Sequence, residues 1–351
     1  MQRPALVAGM AEEEPMKFAT FPLAEAEGLL LAHTLETPTG TFRKGRVLSA
    51  ADVAAIAASG RAEVTGARLE PGDVDEDKAA ARVAHAVAGP GTRIGEAVTG
   101  RANLYATSAG ILQLDTERLL AINRIDEGLT VATLAAFDRV QAGEMLATIK
   151  IIPFAVAEAV VAKAERQAAG TPLIAVAAFE PKTAGLILTE LPQTKASVLK
   201  KRERVTSERL ASAGSRLGAV QTVPHTASAV AAAILSMHKS GHDPILVFAA
   251  SAIVDRDDVI PAAVVEAGGQ AMQVGMPVDP GNLIMVGRLG EADVIGVPSC
   301  AGSPKLNGFD WVLERRLAGL QVGRAEITAM SIGGLLKEIP SRPQPRDTEG
   351  G

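Results

Sequence analysis

Three segments in the C-terminal half collect residues suited to holding an anionic ligand: residues 249–261 (AASAIVDRDDVIP), 275–282 (GMPVDPGN) and 298–307 (PSCAGSPKLN). In the first, Asp258 suits the N-cap of a helix with Pro261 in its first turn. A cap needs one acceptor, and this loop also offers the Ser251 hydroxyl and three further charges, Asp255, Arg256 and Asp257. The surplus points to function as well as capping. In the second, two prolines set the backbone and two glycines free it, which suits a rigid loop presenting Asp279, Gly281 and Asn282 to a ligand as well as it suits a tight strand connection. In the third, Pro298, Ser299 and Ser303 allow close approach, and Lys305 is either a counter-charge for an anion or a solvated lysine. Cys300 among small residues reads as a small hydrophobe before it reads as a nucleophile. The five histidines show no metal-ligand spacing; His225, at a strand end, is the one placed to join a site. A basic run, Lys195, Lys200, Lys201, Arg202 and Arg204, could steer a phosphate, although such a run is usually a solvated helix face.

These segments must be positioned by the elements before and after them. Strand candidates lie at 173–179, 185–189 (closing on Thr189, assigned to the same site), 219–223, 244–248, 270–274, 283–286 and 293–297. Helices are expected over 196–213, 226–239, 259–267 and 307–320. This alternation predicts an α/β domain with a doubly wound, mostly parallel sheet. Ligands bind such sheets where strand C-termini meet helix N-termini, because free N–H groups and the helix dipole favour anions there.

The N-terminal half reads as a mixed α+β region. An amphipathic helix is expected over 18–35, and a helix capped by Ser49 over 50–59. A strand follows over 62–69, then an acid-led helix after it, strands over 129–137 and 145–152, and an Ala-rich helix over 154–169. The expected organisation is a disordered lead (1–15), a mixed α+β region (16–170), an α/β domain (171–339) and a disordered tail (340–351) rich in Pro and charge.

Composition narrows the function classes. Aromatics are 3% of 351 residues, so the cores must be aliphatic. A net charge of −5 with no long basic stretch argues against a nucleic-acid partner. One cysteine excludes an internal disulfide framework and fits a cytoplasmic setting. No apolar run approaches the ~20 residues that span a bilayer.

Residues 173–320 resemble the molybdopterin-binding domain of molybdenum cofactor biosynthesis enzymes. The carriers are ASAIVDRDDVIP, GMPVDPGN and SPKLNGFDW, similar to the module found alone or ahead of a molybdenum cofactor cytidylyltransferase. The opening 21–34 is similar to the start of the molybdate-insertion family, but residues 39–45 (TGTFRKG) stand where that family carries its catalytic acid. Ala249, Ala250 and Ser299 replace glycines of the adenylyltransferase branch. The resemblance therefore implies binding of molybdopterin or molybdenum cofactor during maturation or delivery. It also implies two alternatives: an Mg-ATP-dependent adenylyltransferase or molybdate-insertion enzyme, with Asp258 helping to hold Mg²⁺, or a non-catalytic partner of a molybdoenzyme or cytidylyltransferase. It assigns ligand contacts to Thr189, Ser251, Asp255, Asp258, Asp279, Gly281, Asn282, Pro298, Ser299, Ser303 and Lys305, and expects a homo-oligomer.

Overall fold

The computed structural model describes residues 16–336; the expected lead (1–15) and tail (340–351) lie outside them. Backbone proximity divides the chain into two compact units, one holding the residues up to Ser108 and Leu112–Val176, the other Ala109–Ile111 and the residues from Ala177 onward.

The first unit is built mainly from antiparallel strands. Lys17–Pro22 pairs with Glu63–Arg68, which also pairs with Leu30–Leu31, and Phe21, Leu29, Leu31 and Ile56 close a small core there. The helix expected over 18–35 is thus a strand, a short 3-10 turn at Leu23–Glu25 and a second strand. Its helical spacing of leucines and alanines serves a turn instead, because Gly28 sits at φ +81° and the strand at 63–68 supplies hydrogen bonds that local periodicity cannot reveal. The helix Ala50–Ala58 does begin at Ser49, in a capping box with Asp52. Further on, a four-stranded antiparallel sheet (Leu129–Thr133, Met145–Ile151, Arg101–Ala106, Thr92–Ile94) packs against helices Glu76–Val87 and Glu158–Ala168 through Leu104, Ile149, Val83 and Val161. The Ala-rich helix starts four residues later than expected because Ala155–Ala157 pairs as a strand with Asp73–Asp75. Ile174–Ala178, expected to open the parallel sheet, instead joins Gly110–Leu114 and Arg139–Val140 and gives Ile174 and Val176 to this unit's core.

The second unit carries a six-stranded sheet. Its strands are β1 (Thr183–Glu190), β2 (Arg216–Pro224), β3 (Ile245–Phe248), β4 (Gln270–Val274), β5 (Met285–Leu289) and β6 (Ala292–Val297), in the order β2-β1-β3-β6-β5-β4. The first four in that order are parallel; β5 is antiparallel to both its neighbours, β6 and β4, so β4 points the same way as the first four. The sheet is therefore largely parallel within a mixed α/β unit. Helices α1 (Ala196–Ser212) and α4 (Gly308–Leu317) cover one face, α2 (Ala227–Lys239) and α3 (Val259–Glu266) the other. Side chains alternate between the faces: Leu186, Leu188, Leu246, Phe248, Ile295 and Val297 face α1 and α4, while Ile187, Ile245, Val247 and Val294 face α2 and α3. Each such burial stabilises by about 1.5–3 kcal/mol, so both faces hold their helices. The fifth strand lies at Met285–Leu289, two residues later than expected from 283–286, because Gly275 N–H pairs with Ile284 O and draws 283–284 into the preceding loop.

Candidate functional site

Strand order places the site. The chain runs from β1 to β2 on one side and then returns to β3 on the other side of β1, so the order reverses at the C-terminal ends of β1 and β3. Crevices open at such switch points. The four parallel strands deliver to this edge Thr189 from β1, His225 just past β2, Ala249–Ser251 past β3, and residues 298–307 past β6.

Thr189 is fully buried and holds three groups at once. Its hydroxyl lies 3.2 Å from Phe248 O and 2.7 Å from the Ala250 N–H that donates to it. It also lies 2.9 Å from His225 Nδ1, and His225 Nε2 is 2.9 Å from the exposed Ser251 Oγ. Ser251 and Thr189 are thus brought together, through a histidine that the sequence had singled out only by its position.

A pocket of about 340 Å³ is lined by Val198, Lys201, Arg202, Pro280, Ser299, Cys300, Gly302, Ser303, Lys305, Leu306 and Asn307. That volume suits a small ligand. Arg202 donates to Ala249 O (3.3 Å) and lies over the Phe248 ring at 5.0 Å, a cation–π contact. Among the described residues it has no carboxylate partner, and burial pushes its guanidinium pKa down. A half-buried cation with no anion is paying a desolvation cost that a bound anion would relieve. Burial likewise pushes the Cys300 thiol up, away from thiolate chemistry.

The loop after β6 is held by Arg209 of α1. Its guanidinium donates to the carbonyls of Ala301 (2.6 Å), Ser303 (2.7 Å) and Lys305 (3.3 Å) and pairs with the Asp310 carboxylate. Asn307 caps α4 in a capping box with Asp310. Sequence reasoning offers Arg202 only as one of a basic run that could steer a phosphate and misses Arg209, although a signal existed. Val198, Arg202, Val205 and Arg209 are spaced i, i+4, i+7, i+11, so both arginines fall on the inward face of α1 beside buried Val205.

Other expected site residues are engaged elsewhere. The two Asp258 oxygens accept from Val259 N (2.7 Å) and Val254 N (3.1 Å), capping α3, and Asp255 accepts from Asp257 N (2.9 Å). Neither lines the pocket. Among the described residues no group of three or more His, Cys, Asp or Glu is arranged to hold a metal ion. Of the loop 275–282, Pro280 reaches the pocket. Asp279 ties its backbone to Gly334 and Leu336, and Asn282 bonds back to Met276 through its carbonyl. Gly281 is required where it stands: a Cβ there would come within 2.7 Å of Gly308 N at the start of α4, and φ is +139°. Pro298 starts the 3-10 turn Ser299–Gly302, and Ser299, Ser303 and Lys305 line the pocket.

Comparison with known proteins adds little. Residues 20–68 match the model of a domain of unknown function, DUF8806. No curated protein matches. Among solved structures, the molybdopterin biosynthesis MoeA protein of Pyrococcus horikosii is similar at 11% identity and a TM-score of 0.31, over 86% of this chain and 75% of that one.

Proposed function

We propose that the second unit binds a small phosphate-bearing ligand at the C-terminal edge of its sheet, with the anionic group in the pocket of Lys201, Arg202 and Lys305. The observation that carries this reading is Arg202, half-buried at a strand-end crevice without a carboxylate partner. Ser299 and Ser303 add hydroxyls beside it. The segments that bound this pocket, 298–307 and 275–282, are among those resembling the molybdopterin-binding module. The ligand class is therefore a phosphorylated pterin of the molybdopterin type, held during maturation or delivery of the cofactor.

Calorimetric titration of the full chain with inorganic phosphate and with molybdopterin tests this. Charge-assisted hydrogen bonds contribute about 1.5–3 kcal/mol, so Arg202→Met should weaken both ligands by roughly 10- to 100-fold. Equal affinity in wild type and variant would overturn the assignment. Binding of phosphate without binding of molybdopterin would keep the anion site and reject the pterin.

A further inference from the structure

We propose that Ser251 is a nucleophile activated by His225 and able to accept the acyl group of a small ester. This stands on the Thr189–His225–Ser251 chain, not on the anion pocket. Four contacts meet there: Ser251 Oγ to His225 Nε2, His225 Nδ1 to Thr189 Oγ1, Thr189 Oγ1 to Phe248 O, and Ala250 N to Thr189 Oγ1. The Phe248 carbonyl cannot donate, so the proton between it and Thr189 belongs to the threonine. Thr189 has no second proton to give, so His225 must donate from Nδ1. That leaves Nε2 as a bare acceptor for the Ser251 hydroxyl. With a neutral imidazole, one assignment satisfies all four contacts, and it gives the tautomer a general base needs.

Ser251 is exposed and therefore reachable, while Thr189, fully buried, fixes the imidazole from behind. The backbone N–H groups of Ser251, Ala252 and Ile253 donate to no acceptor among the described residues, so donors in this segment are left over for a bound oxygen. The chain also sits at the point where strand order reverses, where the fold opens a crevice.

In the step that follows, Oγ bonds to the ester carbonyl carbon as its proton passes to Nε2. The tetrahedral adduct collapses, the ester C–O bond breaks, and the Nε2 proton goes to the departing oxygen. Water, deprotonated by Nε2, then attacks the acyl-serine; the acyl C–Oγ bond breaks, Oγ takes the proton back from Nε2, and the carboxylic acid departs. Thr189 presents a neutral dipole to the imidazolium, not a carboxylate, so the imidazolium that must form is less stabilised and His225 is the weaker base for it. Aryl esters, whose leaving groups need little protonation, fit this site better than amides. Thr189 is a positioning residue.

The test uses a fluorophosphonate probe and p-nitrophenyl acetate on the full chain. With the probe, the Ser251 Oγ–P bond forms, P–F breaks, fluoride departs and the proton goes to His225. Mass spectrometry should find one adduct, on Ser251, absent in Ser251→Ala. His225→Gln should slow labelling and ester cleavage by at least ~100-fold. Thr189→Val should slow both, with Thr189→Ser restoring them, which a purely structural role would not require. No adduct on Ser251 in the wild type, or equal labelling in His225→Gln, would overturn the proposal. Ser251→Ala should leave phosphate affinity at the Arg202 pocket unchanged, so the two readings fail separately.

Discussion

Single side chains at the strand-end edge divide into those with spare capacity and those without. Arg202 has charge to offer, whereas Asp258 has spent both oxygens on backbone N–H groups. An N-cap of this kind is worth about 1 kcal/mol. Asp258→Ala should therefore lower the free energy of unfolding in urea by about 1 kcal/mol and change phosphate affinity by less than about twofold. The reverse pattern, affinity lost at unchanged stability, would return Asp258 to the ligand, as the sequence resemblance implies. The same accounting explains what a single sequence hides at this scale. Asp258 was legible as a cap because its partners are its own neighbours. The meeting of Thr189, His225 and Ser251 was not, because each is tens of residues from the next and only strand order brings them together.

Whole elements behave the same way. β3 could be read as a strand because a parallel strand covered on both faces is a continuous apolar run, and all four of its residues are buried. The stretch 18–35 could not, because its helical spacing competes with a partner strand some forty residues away. The loop after β6 is ordered by another element altogether: α1, through Arg209, which grips three of its carbonyls and Asp310. Both side chains of that ion pair are 11% exposed, and removing one partner of a buried pair costs about 3–5 kcal/mol. Arg209→Ala should accordingly destabilise the second unit by several kcal/mol in urea. Hydrogen exchange should rise across 299–307, and phosphate affinity should fall although Arg209 does not line the pocket. Unchanged exchange in that loop would mean that it is held by its own turns.

Across the whole molecule, acidic groups fall into opposite electrostatic situations: arginine partners lower Asp52, Glu158 and Glu165 in the first unit, whereas burial raises Glu76 there and Asp293 in the second. In the first unit the Arg46 guanidinium, together with Ser49 N–H, holds the Asp52 carboxyl down at about 2 against an ordinary 3.8. Arg82 likewise lowers Glu158 and Glu165, tying the helix Glu76–Val87 to Glu158–Ala168. A depressed carboxylate stabilises the folded state above its unfolded pKa, and that contribution is lost as pH falls from about 4 through about 2. In the second unit burial pushes Asp293 up, even though Arg316 pairs with it. Protonating that group on acidification favours the folded state, so its sign is opposite. The part of the first unit held by the Arg46–Asp52 pair should therefore loosen first in acid. Trp311, the chain's one tryptophan, lies in the second unit and packs against its core, so its fluorescence follows that unit alone. Hydrogen exchange, corrected for the pH dependence of the intrinsic rate, should rise in the helix Ala50–Ala58 between pH 4 and about 2 while Trp311 emission holds. Asp52→Asn should flatten that pH response. Trp311 emission shifting before exchange rises in Ala50–Ala58 would show that these carboxylates do not set the acid limit of the first unit.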